Sequence, residues 1–120
     1  MAILTLILKF VYGGIFCFAG SMHFIKPQFF KHFIPEIFPK KLVNYIVGFI
    51  EFGVGFGLFF NQTAKYASLG VFILLILLLP IHIWDVTKER PAIGPKKIAI
   101  IRIPLQFLLM YGIYIVYLNS

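Results

Sequence analysis

The amino-acid sequence predicts an all-α fold, an integral membrane four-helix bundle that forms a single domain over residues 1–120. The composition is 61% hydrophobic and only 12% charged, whereas a soluble domain is nearer half apolar and a quarter charged. The chain also contains four apolar runs, each close to the roughly 20 residues that a helix needs to cross a bilayer. We predict the four transmembrane helices at about residues 3–22, 42–60, 66–84 and 98–118.

The connection between the first two helices has a different character. Three prolines at positions 27, 35 and 39 break regular helix, and phenylalanines alternate there with lysines. Aromatic and basic residues mixed in this way are typical of the headgroup region of a bilayer. We therefore predict that residues 24–41 form an interfacial segment at the membrane surface.

The second helix carries a carboxylate, Glu51, near the centre of an apolar run that is rich in glycine. A lone charge at that depth costs somewhere between about 2.5 and about 10 kcal/mol, so it needs a partner, a proton or a cavity. Four small or polar residues share one face of this helix at i, i+4, i+7 and i+11 spacing: Asn44, Gly48, Glu51 and Gly55. That face is predicted to meet other helices.

Six polar side chains from all four helices are predicted to lie in one half of the bundle. At 1.5 Å per residue, Glu51 lies about 13.5 Å into the second helix and Gln106 about 12 Å into the fourth, from the same side. Arg102 lies about 6 Å in by the same rise, and the other three end the first and third helices. The candidate ligand-binding residues are therefore Glu51, Arg102, Gln106, His23, His82 and Asp85.

Two interpretations of this cluster remain open. In the structural one, Glu51, Arg102 and Gln106 form a buried polar network that fixes helix pairing, with Glu51 and Arg102 as an ion pair. In the functional one, the cluster is the polar end of a pocket that opens to the lipid or to the cytoplasmic interface, since ionisable residues within membranes often mark functional sites. A metal site is disfavoured, because no single helix carries a paired histidine or histidine–glutamate spacing.

Basic residues concentrate on two connections and predict the orientation of the chain. Nine of the eleven lie in the first and third connections and the start of the fourth helix: Lys26, Lys31, Lys40, Lys41, Lys88, Arg90, Lys96, Lys97 and Arg102. The positive-inside rule then places both connections in the cytoplasm and both termini outside. In so apolar a chain, the net charge of +7 indicates a basic membrane face, with the lipid bilayer and not nucleic acid as partner.

At these residues the sequence resembles the DoxX-like family of small four-helix membrane proteins. The resemblance rests on four stretches in the expected order: residues 18–27 (FAGSMHFIKP), Glu51 with 53–58 (GVGFGL), 79–82 (LPIH) and 102–106 (RIPLQ). It implies an inner-membrane protein and, for some members, an association with quinone-linked oxidation of sulfur compounds. Relatives more often carry a small residue and asparagine where this chain has Ile81 and His82.

Three functions are compatible with these observations. The first is a small inner-membrane protein that binds a lipid-soluble, quinone-like molecule or serves as a membrane subunit of a larger complex. The second is a quinone-linked oxidoreductase subunit in which Glu51 or His23 relays protons; it would need a redox partner protein, because no electron-carrying cofactor site is visible. The third is a purely structural assembly protein. The sequence does not decide whether the protein is an enzyme, and a non-covalently bound quinone is the one cofactor that the resemblance suggests.

Overall fold

The computed structural model describes residues 2–120 and contains helices and turns, with no strand in that range. Each end of the four α-helices lies within three residues of its predicted position, which confirms the all-α fold. Two short 3-10 helices, Pro27–Phe29 and Lys31–Phe33, lie between the first two. The α-helices are α1 (Ala2–Ile25), α2 (Lys40–Gly57), α3 (Ala64–Val86) and α4 (Lys96–Leu118).

Three of the described helices, α1, α3 and α4, are long and apolar enough to cross a membrane, and they indicate a membrane protein. The remaining α-helix, α2, has only 18 residues and includes Lys40, Lys41 and Glu51. Its predicted extension to residue 60 is wrong. Beyond Gly57 the backbone turns, and the N–H of Phe59 bonds to the carbonyl only three residues back, at 3.2 Å.

The helices pack as two antiparallel hairpins, α1 with α2 and α3 with α4, with fewer contacts between the hairpins. Two side chains show which connections share an end of the bundle. Lys88 Nζ donates to the carbonyl of His32, which joins the α1–α2 and α3–α4 connections. Lys9 Nζ donates to Asn61 Oδ1 at 3.0 Å, at the opposite end. Both lysine-rich connections therefore lie at the same end, which we call the basic end.

The α1–α2 contact is made by backbone at two pairs of glycines. A Cβ added to Gly20 would lie 2.7 Å from the carbonyl oxygen of Gly48, and one added to Gly55 would lie 2.9 Å from that of Gly13. Small residues allow this close approach of two helices. The buried residues of α2 are the four whose spacing predicted a shared face: Asn44, Gly48, Glu51 and Gly55.

An apolar core fills the half of the bundle away from the basic end. Leu58, Val71, Ile113 and Val116 are fully buried there, and Tyr12 donates its hydroxyl to the carbonyl of Leu109 at 2.7 Å. The outward faces carry large apolar side chains, many of them more than half exposed, as helices that face lipid do. The polar side chains of interest therefore lie in the other half.

Residues 26–39, which we call the strap, cross the basic end of the bundle. The strap is neither a fifth span nor a separate domain: it holds two single-turn 3-10 helices, and its Ile34 is buried against the bundle. The ring of Phe33 meets His82 of α3 edge-on, with 5.8 Å between ring centroids. Asn44 of α2 donates to the carbonyl of Pro27 at 2.8 Å. The strap is thus attached to two different helices.

Candidate functional site

A cavity of about 320 Å³ lies at the basic end, between the strap and side chains from all four α-helices. Its wall is mostly apolar and includes three strap phenylalanines, Phe30, Phe33 and Phe38. The volume falls in the range of small-molecule sites, which are typically concave and apolar with a few converging polar groups. Four of the six predicted site residues line it: His23, Glu51, His82 and Arg102.

His23 and Glu51 form a buried pair across the α1–α2 contact. Nε2 of His23 lies 2.8 Å from Oε1 of Glu51, and the two side chains are 8% and 9% exposed. This is an ion-pair distance, although Oε1 has no donor aligned for a hydrogen bond. Each residue follows a contact glycine by three positions, Gly20 in α1 and Gly48 in α2. The close backbone approach therefore sets the two side chains against each other.

Asn44 determines which nitrogen of His23 carries a hydrogen. Its Nδ2 donates to the carbonyl of Pro27, so its Oδ1, which contacts Nδ1 of His23, is the acceptor. Nδ1 is therefore protonated. The 2.8 Å contact between Nε2 and Oε1 requires one further proton, because two lone pairs or two hydrogens would repel. The pair with Glu51 is thus neutral overall, as imidazolium with carboxylate or as imidazole with carboxylic acid.

Arg102 reaches the cavity from α4 without a carboxylate partner. Its Nη1 is buried and has no hydrogen-bond partner, and none of the three ion pairs within residues 2–120 includes it. The predicted ion pair between Glu51 and Arg102 is therefore not formed, because His23 on the adjoining helix occupies that place beside Glu51. The guanidinium instead forms part of the cavity wall.

The remaining two predicted residues lie outside the cavity wall. The carboxylate of Asp85 accepts the N–H of Ala92 at 2.7 Å and lies 3.3 Å from Lys88 Nζ, so it closes the α3–α4 connection. Gln106 is fully buried and donates Nε2 to the carbonyl of Leu75 at 2.6 Å, which links α4 to α3. Both make structural bonds between segments, and neither faces the cavity.

The acid of the strap is also engaged away from the cavity. Glu36 is exposed, and its Oε1 lies 2.6 Å from Lys40 Nζ at the start of α2. This hydrogen bond and the charge of the ammonium lower the pKa of Glu36 below its usual value. The carboxylate therefore stays ionised on the surface and is not a partner for the groups in the cavity.

A protein-family model matches residues 12–116 of the chain, from the middle of α1 almost to the end of α4. The model describes a domain of unknown function, DUF8561. The chain belongs to this family. No curated protein and no solved structure matches it. The match includes every cavity residue but assigns no ligand or reaction, and the resemblance to the DoxX-like family stays a prediction.

In this DUF8561 chain, sequence reasoning missed two parts of the site. Asn44 was placed on the same helix face as Glu51, but its contact with His23 depends on the α1–α2 packing, which spacing within one helix does not give. The strap was predicted at the surface, and its lysines and phenylalanines carry no signal that Phe30 and Phe33 cover a cavity.

Among the described residues, no group of three or more His, Cys, Asp or Glu side chains could hold a metal ion.

Proposed function

We propose that this protein is an integral inner-membrane four-helix bundle whose cavity binds a lipid-soluble molecule with a polar head, such as a quinone. The cavity of about 320 Å³ carries this proposal, because it joins a mostly apolar wall to five converging polar side chains. The head of the ligand meets Glu51, His23 and Arg102. Its tail lies among the phenylalanines of the strap. The resemblance to the DoxX-like family supports a quinone as the first molecule to test.

We propose α2 as the fourth span, although its composition is less apolar than that of the other three helices. Its 18 residues extend about 27 Å at 1.5 Å per residue, close to the thickness of a hydrocarbon core. Lys40 and Lys41 lie at its first turn and can extend to the headgroups. Glu51 faces α1 and is paired with His23, so α2 presents no unpaired charge to lipid.

The strap is proposed to lie in the headgroup layer of the cytoplasmic face. Ile37 is 86% exposed, and the ammonium of Lys26 lies over the ring of Phe29, 5.4 Å from its centroid. Exposed apolar side chains beside lysines suit the boundary between water and lipid. Since the basic end also holds the α3–α4 connection, the positive-inside rule supports both termini outside the cytoplasm.

Two other functions are candidates because specific contacts favour them. The His23–Glu51 pair shares one proton and could exchange it with a bound quinol, which favours a subunit of a quinone-linked oxidoreductase with a separate redox partner protein. The buried bonds of Asp85 and Gln106 favour a purely structural assembly protein, since they join a helix to a connection and one helix to another. Identification of the bound molecule separates these functions from one another.

The proposal is tested by extracting lipids from protein purified in a mild detergent and identifying them by mass spectrometry. Val47 lines the cavity, so Val47→Phe should fill part of it. Val11 is 48% exposed on α1, so Val11→Phe is the matched control. We expect about one molecule of a single lipid-soluble compound per chain in the parent and the control, with a quinone as the first candidate, and much less in Val47→Phe. Bulk phospholipid alone, equal in all three proteins, would contradict ligand binding and favour the structural assembly protein.

A further inference from the structure

The cavity has an unbalanced formal charge. The 2.8 Å contact between Nε2 of His23 and Oε1 of Glu51 requires one proton between them, and with it the pair is neutral. His82, with the ring of Phe33 against it, adds no negative charge. Arg102 is the remaining charged residue of the wall, and its Nη1 is buried without a hydrogen-bond partner. The wall thus carries a positive charge whose donor group is unused.

No carboxylate of the described chain is available to balance Arg102. The chain has four acidic residues, and three of them are in ion pairs with other residues: Glu36 with Lys40, Glu51 with His23, and Asp85 with Lys88. The fourth, Glu89, is exposed in the α3–α4 connection. Arg102 is half-buried, and its Nη1 is fully buried without a hydrogen-bond partner. A buried donor left without an acceptor is costly, and an anion from outside the chain would supply both the acceptor and the counter-charge.

We infer that the head group held in this cavity is anionic, a carboxylate or a phosphate bound by Arg102. This inference rests on the proposed function and specifies the charge of its ligand. A guanidinium can offer two parallel N–H donors to either group. Glu51 does not repel the anion, because its pair with His23 is neutral. Within the class of lipid-soluble molecules that the proposed function covers, a neutral quinone would leave the charge of Arg102 unbalanced. An anionic amphiphile, either a single-chain fatty acid or a phospholipid, balances it.

Binding of matched probes to detergent-purified, lipid-stripped protein tests the inference. Hexadecanoate and hexadecanol differ in head charge and share the same chain, a dialkyl phosphate supplies the phospholipid-type head, and decylbenzoquinone supplies a neutral ring. Native mass spectrometry measures each affinity. We expect hexadecanoate or the phosphate to bind about tenfold or more tightly than hexadecanol, as a charge-assisted hydrogen bond implies. Whichever anionic probe is preferred identifies the source of the head group.

Variants then locate the binding charge. Arg102→Gln should abolish the preference for the anion while leaving hexadecanol binding unchanged, and Arg102→Lys should keep part of it. Arg90→Gln, at an exposed arginine of the α3–α4 connection, is the matched control and should bind like the parent. The comparison of probes in the parent needs no variant, so it remains decisive if Arg102→Gln fails to fold.

The outcomes separate the inference from the proposed function. If the parent binds the alcohol or the quinone as tightly as the anions, and Val47→Phe blocks that binding, the anionic head is wrong and the proposed function stands. If Val47→Phe blocks none of the probes, they do not occupy the cavity, and both fail. If the anion preference survives in Arg102→Gln, the inference is overturned, since another group provides the charge.

Discussion

Nε2 of His23 and Oε1 of Glu51 lie 2.8 Å apart because Gly20 and Gly48 let α1 and α2 touch through their backbones. Each member of the pair follows its glycine by three residues, or nearly one helical turn. The pair is therefore fixed by helix packing and not by the connections. His23 thus lies beside Glu51 where the sequence predicted Arg102. The guanidinium of Arg102 is therefore left free to meet a ligand.

Alanine substitutions at His23 and Glu51 test whether the two side chains stabilise each other. Each single substitution should lower the free energy of unfolding by about 1–3 kcal/mol, because it leaves a buried polar group without its partner. The double variant should cost less than the sum, with a coupling of about 0.5–3 kcal/mol. Denaturation in mixed detergent micelles provides the measurement. The same cycle for Glu51 and Arg102 should give a smaller coupling, because these two residues form no ion pair. A coupling as large as that of His23 and Glu51 would support the predicted pairing of Glu51 with Arg102.

Replacement of glycine by alanine should have opposite effects on stability at the α1–α2 contact and at glycines with open space around them. Gly48→Ala should destabilise the protein by about 1–3 kcal/mol, as overpacking does, because its Cβ would lie 2.5 Å from Cβ of His23. Gly14→Ala and Gly53→Ala are matched controls, since nothing lies within 4 Å of either added Cβ. These controls should be neutral or stabilising by up to about 1 kcal/mol, from higher helix propensity. Thermal unfolding in detergent measures these stabilities. Equal changes in stability for all three variants would contradict the helix contact at Gly48.

Asn44 predicts a link between the site and the strap. Asn44→Ala removes the donor to the carbonyl of Pro27 and the acceptor for Nδ1 of His23. We expect faster amide hydrogen exchange in the strap, for example at Phe30 and Ile34, whose N–H groups bond within it. Asn61→Ala, at the opposite end, is the control and should leave the exchange of the strap unchanged. Equal exchange in the parent and in Asn44→Ala would show that the strap is held independently of this residue.

The proposed orientation predicts which connections an impermeant thiol reagent reaches in intact cells. In a Cys17→Ala background, a cysteine at exposed Gln62, in the α2–α3 connection, should be labelled. A cysteine at exposed Glu89, at the basic end, should be labelled only after the cells are lysed. The reverse pattern would contradict the orientation drawn from the lysines and arginines.

The sequence was sufficient for what depends on one helix at a time. Apolar run lengths located all four helices, and the spacing of Asn44, Gly48, Glu51 and Gly55 identified the buried face of α2. It also placed His23, Glu51, His82 and Arg102 in one half of the predicted bundle, and these residues line one cavity. Periodicity is informative here because the residues on the buried face of a helix recur every three or four positions in the sequence.

The sequence was insufficient for what depends on rotation and depth between helices. Depth along an axis grouped Gln106 with Glu51, but Gln106 points to α3 and bonds to Leu75. Asp85 was grouped with the site by its place at a helix end, whereas its carboxylate binds backbone N–H groups of the following connection. Helical rise gives depth alone, so the direction in which these two side chains point could be found only from the three-dimensional packing.

A photoreactive benzoylphenylalanine in place of Phe33 tests most directly whether the cavity holds an amphiphile. Phe33 lines the cavity, whereas Phe49 is 75% exposed on α2, so the same replacement at Phe49 reports the surrounding lipid. After irradiation in membranes, mass spectrometry of the intact protein should show one dominant adduct at position 33 that Val47→Phe removes, and a mixture of phospholipid adducts at position 49. The same phospholipid mixture at both positions, unchanged by Val47→Phe, would contradict a ligand-binding cavity.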